Sequence, residues 1–191
     1  MPKLWNDTIE AHRQSVRDAT LDATAALVME HGLTSVTMSQ IAKDTGIGRA
    51  TLYKYFPDVD AIMVAWHERM IGQHMAQLHA VAHSQGADPF TTLRAVLETY
   101  GHSMQAQHGH ALAAHLHRLP HARSAEQHLR SFVKALIGDA AKAGLVRSDV
   151  PVDELAAYVL GALSATESSS SKLAIKRLVD VTLNGLIEPK Q

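Results

Sequence analysis

Between Thr37 and Phe56 the chain reads TMSQIAKDTGIGRATLYKYF, and this stretch gathers Arg49, Thr51, Tyr53, Lys54 and Tyr55 within seven residues. Guanidinium, ammonium and hydroxyl groups hydrogen-bond phosphate oxygens and the edges of base pairs. The chemistry they offer is recognition of duplex DNA, not bond-making. Leu52 and Phe56 stand four apart, so a helix through them turns both inward and leaves the polar five on its other face. Such a helix, set after a tight turn, fits the recognition helix of a helix-turn-helix. The plainer reading of the same residues is a helical pair with a solvated surface.

Thirteen histidines form the second set of chemically capable side chains, and seven of them lie between residues 102 and 128. His79/His83 and His117/His121 have the i, i+4 spacing with which one helix face can hold a metal ion. Neither pair has an acidic third ligand close in sequence, Pro120 interrupts the second, and His108-Gly109-His110 falls in a loop. Polar surface or hydrogen-bonded histidine is the favoured reading, with no metal and no cofactor expected. A metal-sensing regulator is the alternative, and an all-α metal-dependent enzyme a remote one. The chain carries no nucleophile elbow, phosphate loop or dinucleotide fingerprint, and Ser15 and Ser39 have no activating context, so no catalytic residue is assigned.

Two short helices must position the polar face. Thr37 with Gln40 has capping-box spacing and opens the first, whose Met38, Ile41 and Ala42 recur at helical intervals. Gly46 is placed to adopt a left-handed conformation, and Ile47 plugs the angle between the helices. Upstream, Asp7 and Glu10 repeat the capping-box spacing at the start of a long helix running to about Glu30, with Leu21, Thr24, Leu27 and Val28 as its inner stripe and Gly32 as its stop. That helix braces the other two.

With these residues in view, segment 20–56 resembles the DNA-binding segment of the TetR family of transcriptional regulators. The matching residues are Glu30-His31-Gly32, Thr37, Ile41-Ala42, Gly46-Ile47 and the run Thr51-Leu52-Tyr53-Lys54-Tyr55-Phe56. The resemblance implies a homodimeric, ligand-responsive regulator, a repressor in the usual case, whose partners are palindromic double-stranded operator DNA, a second copy of the chain and a small-molecule effector of unknown identity. On this view Thr37, Ser39, Arg49, Thr51, Tyr53, Lys54 and Tyr55 meet DNA. Gly48 stands where similar proteins carry a capping serine, Ala50 replaces a frequent glycine, and Val59 replaces a lysine that grips phosphate.

A chain of 191 residues with 46% apolar content can bury a core of its own. The absence of cysteine excludes disulfides and thiolate metal sites and suits the cytoplasm. Charges interrupt the first residues before a signal sequence could form, and no apolar run is long enough to span a bilayer, so no membrane association is expected. A net charge of −1 gives no general nucleic-acid signature, and residues 1–66 hold six Lys/Arg against eight Asp/Glu. Within 37–56 three basic residues face one acidic residue, so the positive footprint is local and binding should rest on two copies acting together.

The remaining pattern is helical throughout, with no alternation of period two. The expected fold is all-α: a three-helix helix-turn-helix domain over residues 1–58 and a helical effector-binding and dimerisation domain over 59–191. Pro57-Asp58 begins a fourth helix that leaves the first domain, Ser84-Gln85-Gly86-Ala87 breaks it, and Asp88-Pro89 restarts. A helix closed near Gly109, a short one at 111–119 stopped by Pro120, and one ending at Ala143-Gly144 follow. Trp66, Met70, Leu97, Tyr100, Met104 and His115 are the candidate lining of an apolar effector pocket. The last two helices carry Leu155, Val159 and Leu163, then Ile175, Leu178, Val179, Thr182 and Leu186, the candidate four-helix dimer interface. Small Ala157, Gly161 and Ala165 on the first of these permit close helix approach, and a polar serine link at 168–171 joins the two.

Overall fold

The structure, a computed structural model, describes residues 2–84, 86, 88–106, 120–169 and 171–188. The described residues form helices and turns without a strand, as the helical periodicity requires. The chain divides into two compact units, Met1–Met70 and Ile71–Gln191.

The first unit contains α1 (Pro2–His31), α2 (Met38–Thr45), α3 (Arg49–Tyr55) and the first turns of α4 (Val59–Ser84). Its core is the apolar side of each: Leu21, Ala25 and Val28 of α1, Met38, Ile41 and Ala42 of α2, Leu52 and Phe56 at α3, and Ile62 and Met63 of α4. Thr20 and Thr24 are also buried there, and each spends its hydroxyl on the carbonyl one turn back, at 2.9 and 2.8 Å. Helix α1 begins at Pro2 and not at Asp7: the helix runs straight through Asp7, and proline is well suited to a first helical position, where its missing N–H costs nothing. Gly32 ends it at φ 82°. Asp58 caps α4 by accepting from the Ala61 amide at 2.7 Å.

Helix α4 continues into the second unit, followed by α5 (Pro89–Ala106), α6 (Pro120–Lys142), α7 (Val152–Leu163) and α8 (Lys172–Asn184). Helix α5 packs on α6, α8 and a 3-10 turn at Ser164–Ser168, while α7 lies against α6 and α8. Leu93, Leu97, Val133, Ile137, Leu155, Val159, Leu163, Ile175, Val179, Leu183 and Leu186 interlock in its centre. Pro120 opens α6 as its first residue; the short helix expected at 111–119 lies outside the described residues. Gly144, at φ 70°, turns the chain after α6. At the two ends of the expected serine link, Ser168 is the last residue of the 3-10 turn and Ser171 caps α8 by accepting from the Ala174 amide at 3.2 Å. Glycine at 101 lets α5 approach α8 and the 3-10 turn, since a Cβ there would stand 2.8 Å from Ile175 Cγ2 and 3.4 Å from Thr166 Cγ2.

Candidate nucleic-acid interface

The turn between α2 and α3 is fixed by local hydrogen bonds. Thr37, extended at φ −121° and ψ 153°, caps α2: its Oγ1 accepts from the Gln40 amide at 3.3 Å, and its own N–H donates to Gln40 Oε1 at 2.8 Å. Because the Thr37 amide is spent on the cap, the donors left open at this helix start are the Met38 and Ser39 amides, which have no intrahelical acceptor. Gly46 closes α2 at φ 69°, and Thr45 Oγ1 bonds back to the Ile41 carbonyl at 2.7 Å. Gly48 then begins α3 with no side-chain cap, and Phe56 ends it by donating its amide to the Leu52 carbonyl at 3.0 Å.

These constraints aim the side chains. Leu52 and Phe56 are buried, whereas Arg49, Thr51, Tyr53 and Lys54 are exposed, Tyr53 by 48% despite its ring. Tyr55 is half-buried. Thr37 and Ser39 are exposed at the start of α2. Among the described residues, no carboxylate lies within ion-pair reach of Lys43, Arg49 or Lys54, although Arg13 pairs with Glu10 and Arg69 with Asp18 and Asp22. The local positive charge is thus left unneutralised on the α2–α3 pair.

The Arg69 pairing is a tie that spacing in sequence does not reveal. Arg69 Nη1 donates to Asp18 Oδ1 at 3.0 Å and Nη2 to Asp22, joining α4 to one face of α1. Burial opposes the charge on Arg69, but the bonds to Asp22 and Asp18 outweigh it and raise its pKa. Asp18 is held below the usual carboxylate range by a hydrogen bond from Gln14 and, against some burial, by Arg69. The detectable signal is that Asp18 and Asp22 share a helix face at i, i+4.

The candidate effector residues are not gathered into one described pocket. Trp66 and Met70 lie half-buried in the first unit. Leu97 is sealed in the core of the second, Tyr100 and Met104 are partly buried there, and His115 lies outside the described residues. Leu97 is therefore a packing residue. Burial, with the charges of Glu167 and Glu126, pushes the Tyr100 phenol up to about 12. An open depression of about 320 Å³ in the second unit is lined by His83, Pro89, Thr92, Phe132, Leu136 and Asp139, none of them among the six.

The candidate dimer residues need a larger correction. Leu155, Val159, Leu163, Ile175, Val179, Thr182 and Leu186 are buried within this chain's own core, and Leu178 is half-buried. An apolar stripe marks the side of a helix that is covered, and here α5 and α6 cover it. The outward side of α7 carries Ala157, Tyr158 and Gly161, with Ala165 exposed in the 3-10 turn that follows; that of α8 carries Leu173 and Val181, with Ile187 exposed just beyond its end.

Of the two histidine pairs, only His79/His83 has both side chains described. His83 bonds through Nδ1 to the His79 carbonyl at 2.7 Å, and the His79 ring packs on Phe132 at 4.2 Å between centroids. His108, His110 and His117 lie outside the described residues. No group of three or more metal-ligating side chains occurs among the described residues.

A short exposed helix of arginine, threonine, tyrosine and lysine, held by a left-handed glycine turn against a capped partner, defines a helix-turn-helix protein. Comparison with known proteins then places it. Residues 21–65 match the family model described as bacterial regulatory proteins, tetR family, and residues 88–188, more than half the chain, match that of the SbtR-like transcriptional regulator C-terminal domain. The chain belongs to the TetR family. It is 28% identical over 88 residues to the HTH-type transcriptional regulator EthR of Mycolicibacterium smegmatis, covering 46% of this chain and 41% of that protein. Its matches to curated relatives span between 28% and 41% of their lengths. The fold resembles that of the fatty acid degradation regulator FadR from Bacillus halodurans, with TM-score 0.73, 17% identity and coverage of 90% and 96%. It also resembles FadR from Bacillus subtilis, solved in complex with stearoyl-CoA, with TM-score 0.69, 16% identity and coverage of 91% and 98%. Among the described residues no helix is long and apolar enough to cross a membrane.

Proposed function

We propose that this protein is a one-component transcriptional regulator that represses by binding two-fold-related operator DNA as a homodimer in the cytoplasm, and that lets go when a small molecule occupies the second unit. The observation that carries the reading is the α3 surface, where Arg49, Thr51, Tyr53 and Lys54 stand exposed while Leu52 and Phe56 are buried. DNA binding is assigned to residues 1–58 and effector binding and dimerisation to 59–191, although the packing of the first unit continues to Met70 through the Arg69 tie. The Met38 and Ser39 amides with Thr37, Ser39, Thr51, Tyr53 and Tyr55 hold phosphates and set register; Arg49 and Lys54 read base edges.

The second copy docks through the outward sides of α7, the 3-10 turn after it and α8, where Ala157, Gly161 and Ala165 allow close approach and Tyr158, Leu173 and Val181 supply apolar area. That a structural neighbour was solved with stearoyl-CoA supports a small-molecule effector for this fold and leaves its chemistry open. The effector acts by differential affinity for two arrangements of the dimer, only one of which presents both recognition helices at operator spacing.

The test is selection of duplexes from a random library by the purified full-length protein. The expected product has two related half-sites with centres about one helical turn, or a multiple, apart. Arg49→Ala should cost about 1–3 kcal/mol and relax sequence preference at one position per half-site. Protein that enriches no sequence and stays monomeric overturns the proposal. An Arg49→Ala loss equal on all sequences moves Arg49 to the phosphate contacts.

A further inference from the structure

We infer that Arg17 of α1 is a further phosphate contact of the reading head, held at the end of the recognition helix by the ring of Phe56. The inference rests on the DNA-binding reading above. Its starting point is a contact between residues 39 positions apart in sequence: the Arg17 guanidinium carbon stands 5.3 Å from the Phe56 ring centroid, within reach of a cation–π attraction. Phe56 is the residue that closes α3, and its ring is 4% exposed, so it is a fixed platform. Arg17 is half-buried beside it.

Arg17 has no carboxylate within ion-pair distance among the described residues, although its charge, after Gln14 and Arg69, helps hold Asp18 below the usual carboxylate range. Asp18, its neighbour in sequence, and Asp22 one turn on are both taken by Arg69. Of the other cations in the first unit whose side chains are described, Arg13 and Arg69 have a carboxylate within ion-pair reach, and Lys43, Arg49 and Lys54 lie on the α2–α3 pair. Arg17 therefore belongs with the second group: a cation without a close ion pair, set against the residue that closes the recognition helix. A cation–π contact uses the charge and not the hydrogen-bond donors of a guanidinium, whose N–H fork can grip a phosphate oxygen pair. A helix-turn-helix whose own segment carries few charges gains from one more backbone contact, and this one sits at the far end of α3 from the α2 start.

The experiment measures binding of full-length protein to its library-selected duplex, and to sonicated mixed-sequence DNA, as a function of salt. Each phosphate neutralised contributes about 0.9 to the slope of log K against log salt, so Arg17→Gln should make the slope shallower by about 1.8 per dimer, with a similar change on both DNAs. At ~0.1 M salt this corresponds to roughly a 60-fold weaker complex than wild type when both are referred to 1 M. Arg17→Lys, which keeps the charge, should keep most of the slope. Arg17→Gln with weakened binding but an unchanged slope would overturn the inference, because it would make Arg17 only a brace for Phe56. If Arg17→Gln melts early, Phe56→Leu supplies the second measurement: removing the platform and not the charge should weaken binding on both DNAs and reduce the slope by less than Arg17→Gln does. Wild-type protein that binds neither DNA instead defeats the DNA-binding reading itself, a result separate from a wild type that binds with an Arg17-independent slope.

Discussion

Replacing Gly48 by serine and by alanine tests whether the start of the recognition helix limits its order. Helix α3 has seven residues, too few to hold itself together by propensity, and its N-cap supplies no side-chain bond. Glycine is not needed at this position for backbone reasons, since φ is −59° and ψ is 136°, which any L-residue adopts. Steric cost is also absent: a Cβ at residue 48 would meet nothing nearer than Thr51 Oγ1 at 3.9 Å. With strain and clash removed, capping alone sets the sign. Serine is the better N-cap than glycine by roughly a few tenths of a kcal/mol and better than alanine by about 1 kcal/mol. The expected order of stability is therefore Gly48→Ser, wild type, Gly48→Ala. Thermal melts should separate the serine and alanine variants by about 2–4 °C if the molecule melts as one unit. Hydrogen exchange at the Lys54 and Tyr55 amides is the sharper assay, because about 1 kcal/mol changes a local opening constant roughly 5-fold. Alanine as stable as serine, or protection at Lys54 and Tyr55 unchanged across the three, would refute the argument that the cap governs α3.

Three further perturbations follow from contacts in the structure. Gly101→Ala places a Cβ 2.8 Å from Ile175 Cγ2 and 3.4 Å from Thr166 Cγ2, both in fully buried residues, so it should cost about 1–3 kcal/mol and lower the melting temperature; an unchanged melt counts against the tight α5–α8 approach. Gly161→Arg and Val181→Glu should leave the single chain folded, as a Cβ at 161 meets nothing within 4 Å and Val181 is 66% exposed, yet shift sedimentation from dimer to monomer; an undisturbed dimer refutes the proposed face. Asp18 is depressed by Gln14 and Arg69, so its contribution is complete above the unfolded carboxylate value and is lost as pH falls through the lower folded one. Asp18→Asn should flatten the acid limb of a stability profile, by at most about 1 kcal/mol because the side chain is 38% exposed; an identical profile removes the tie from the stability of the first unit.

The first unit was legible in the sequence because its determinants are local. Thr37 with Gln40, Gly46 in the left-handed region and the Leu52–Phe56 spacing each act within a few residues, and each is found in the expected role. The same locality hid the ties that close the unit. Arg69 reaches residues 47 and 51 positions away, and Arg17 meets Phe56 across a comparable span, so neither leaves a mark in any short window. Pro120 shows another limit: a proline that cannot continue one helix is equally suited to start the next, and only the backbone decides between them.

The second unit shows a different failure, in which the pattern is read correctly and assigned to the wrong surface. The stripe through Leu155, Val159 and Leu163 and that through Ile175, Val179 and Leu186 are as regular as expected, but periodicity reports that a helix side is covered without naming the cover. A chain buries its largest side chains within itself first, because packing the single subunit does not depend on concentration, whereas a dimer loses its contacts on dilution. The face proposed for a second copy is the side built from Ala157, Gly161 and Ala165 with scattered larger residues, Leu173 at 61% and Val181 at 66% exposure. Such a surface gains from close backbone approach more than from bulk, and so an arginine at Gly161 is expected to disrupt pairing more than alanine in place of Leu173.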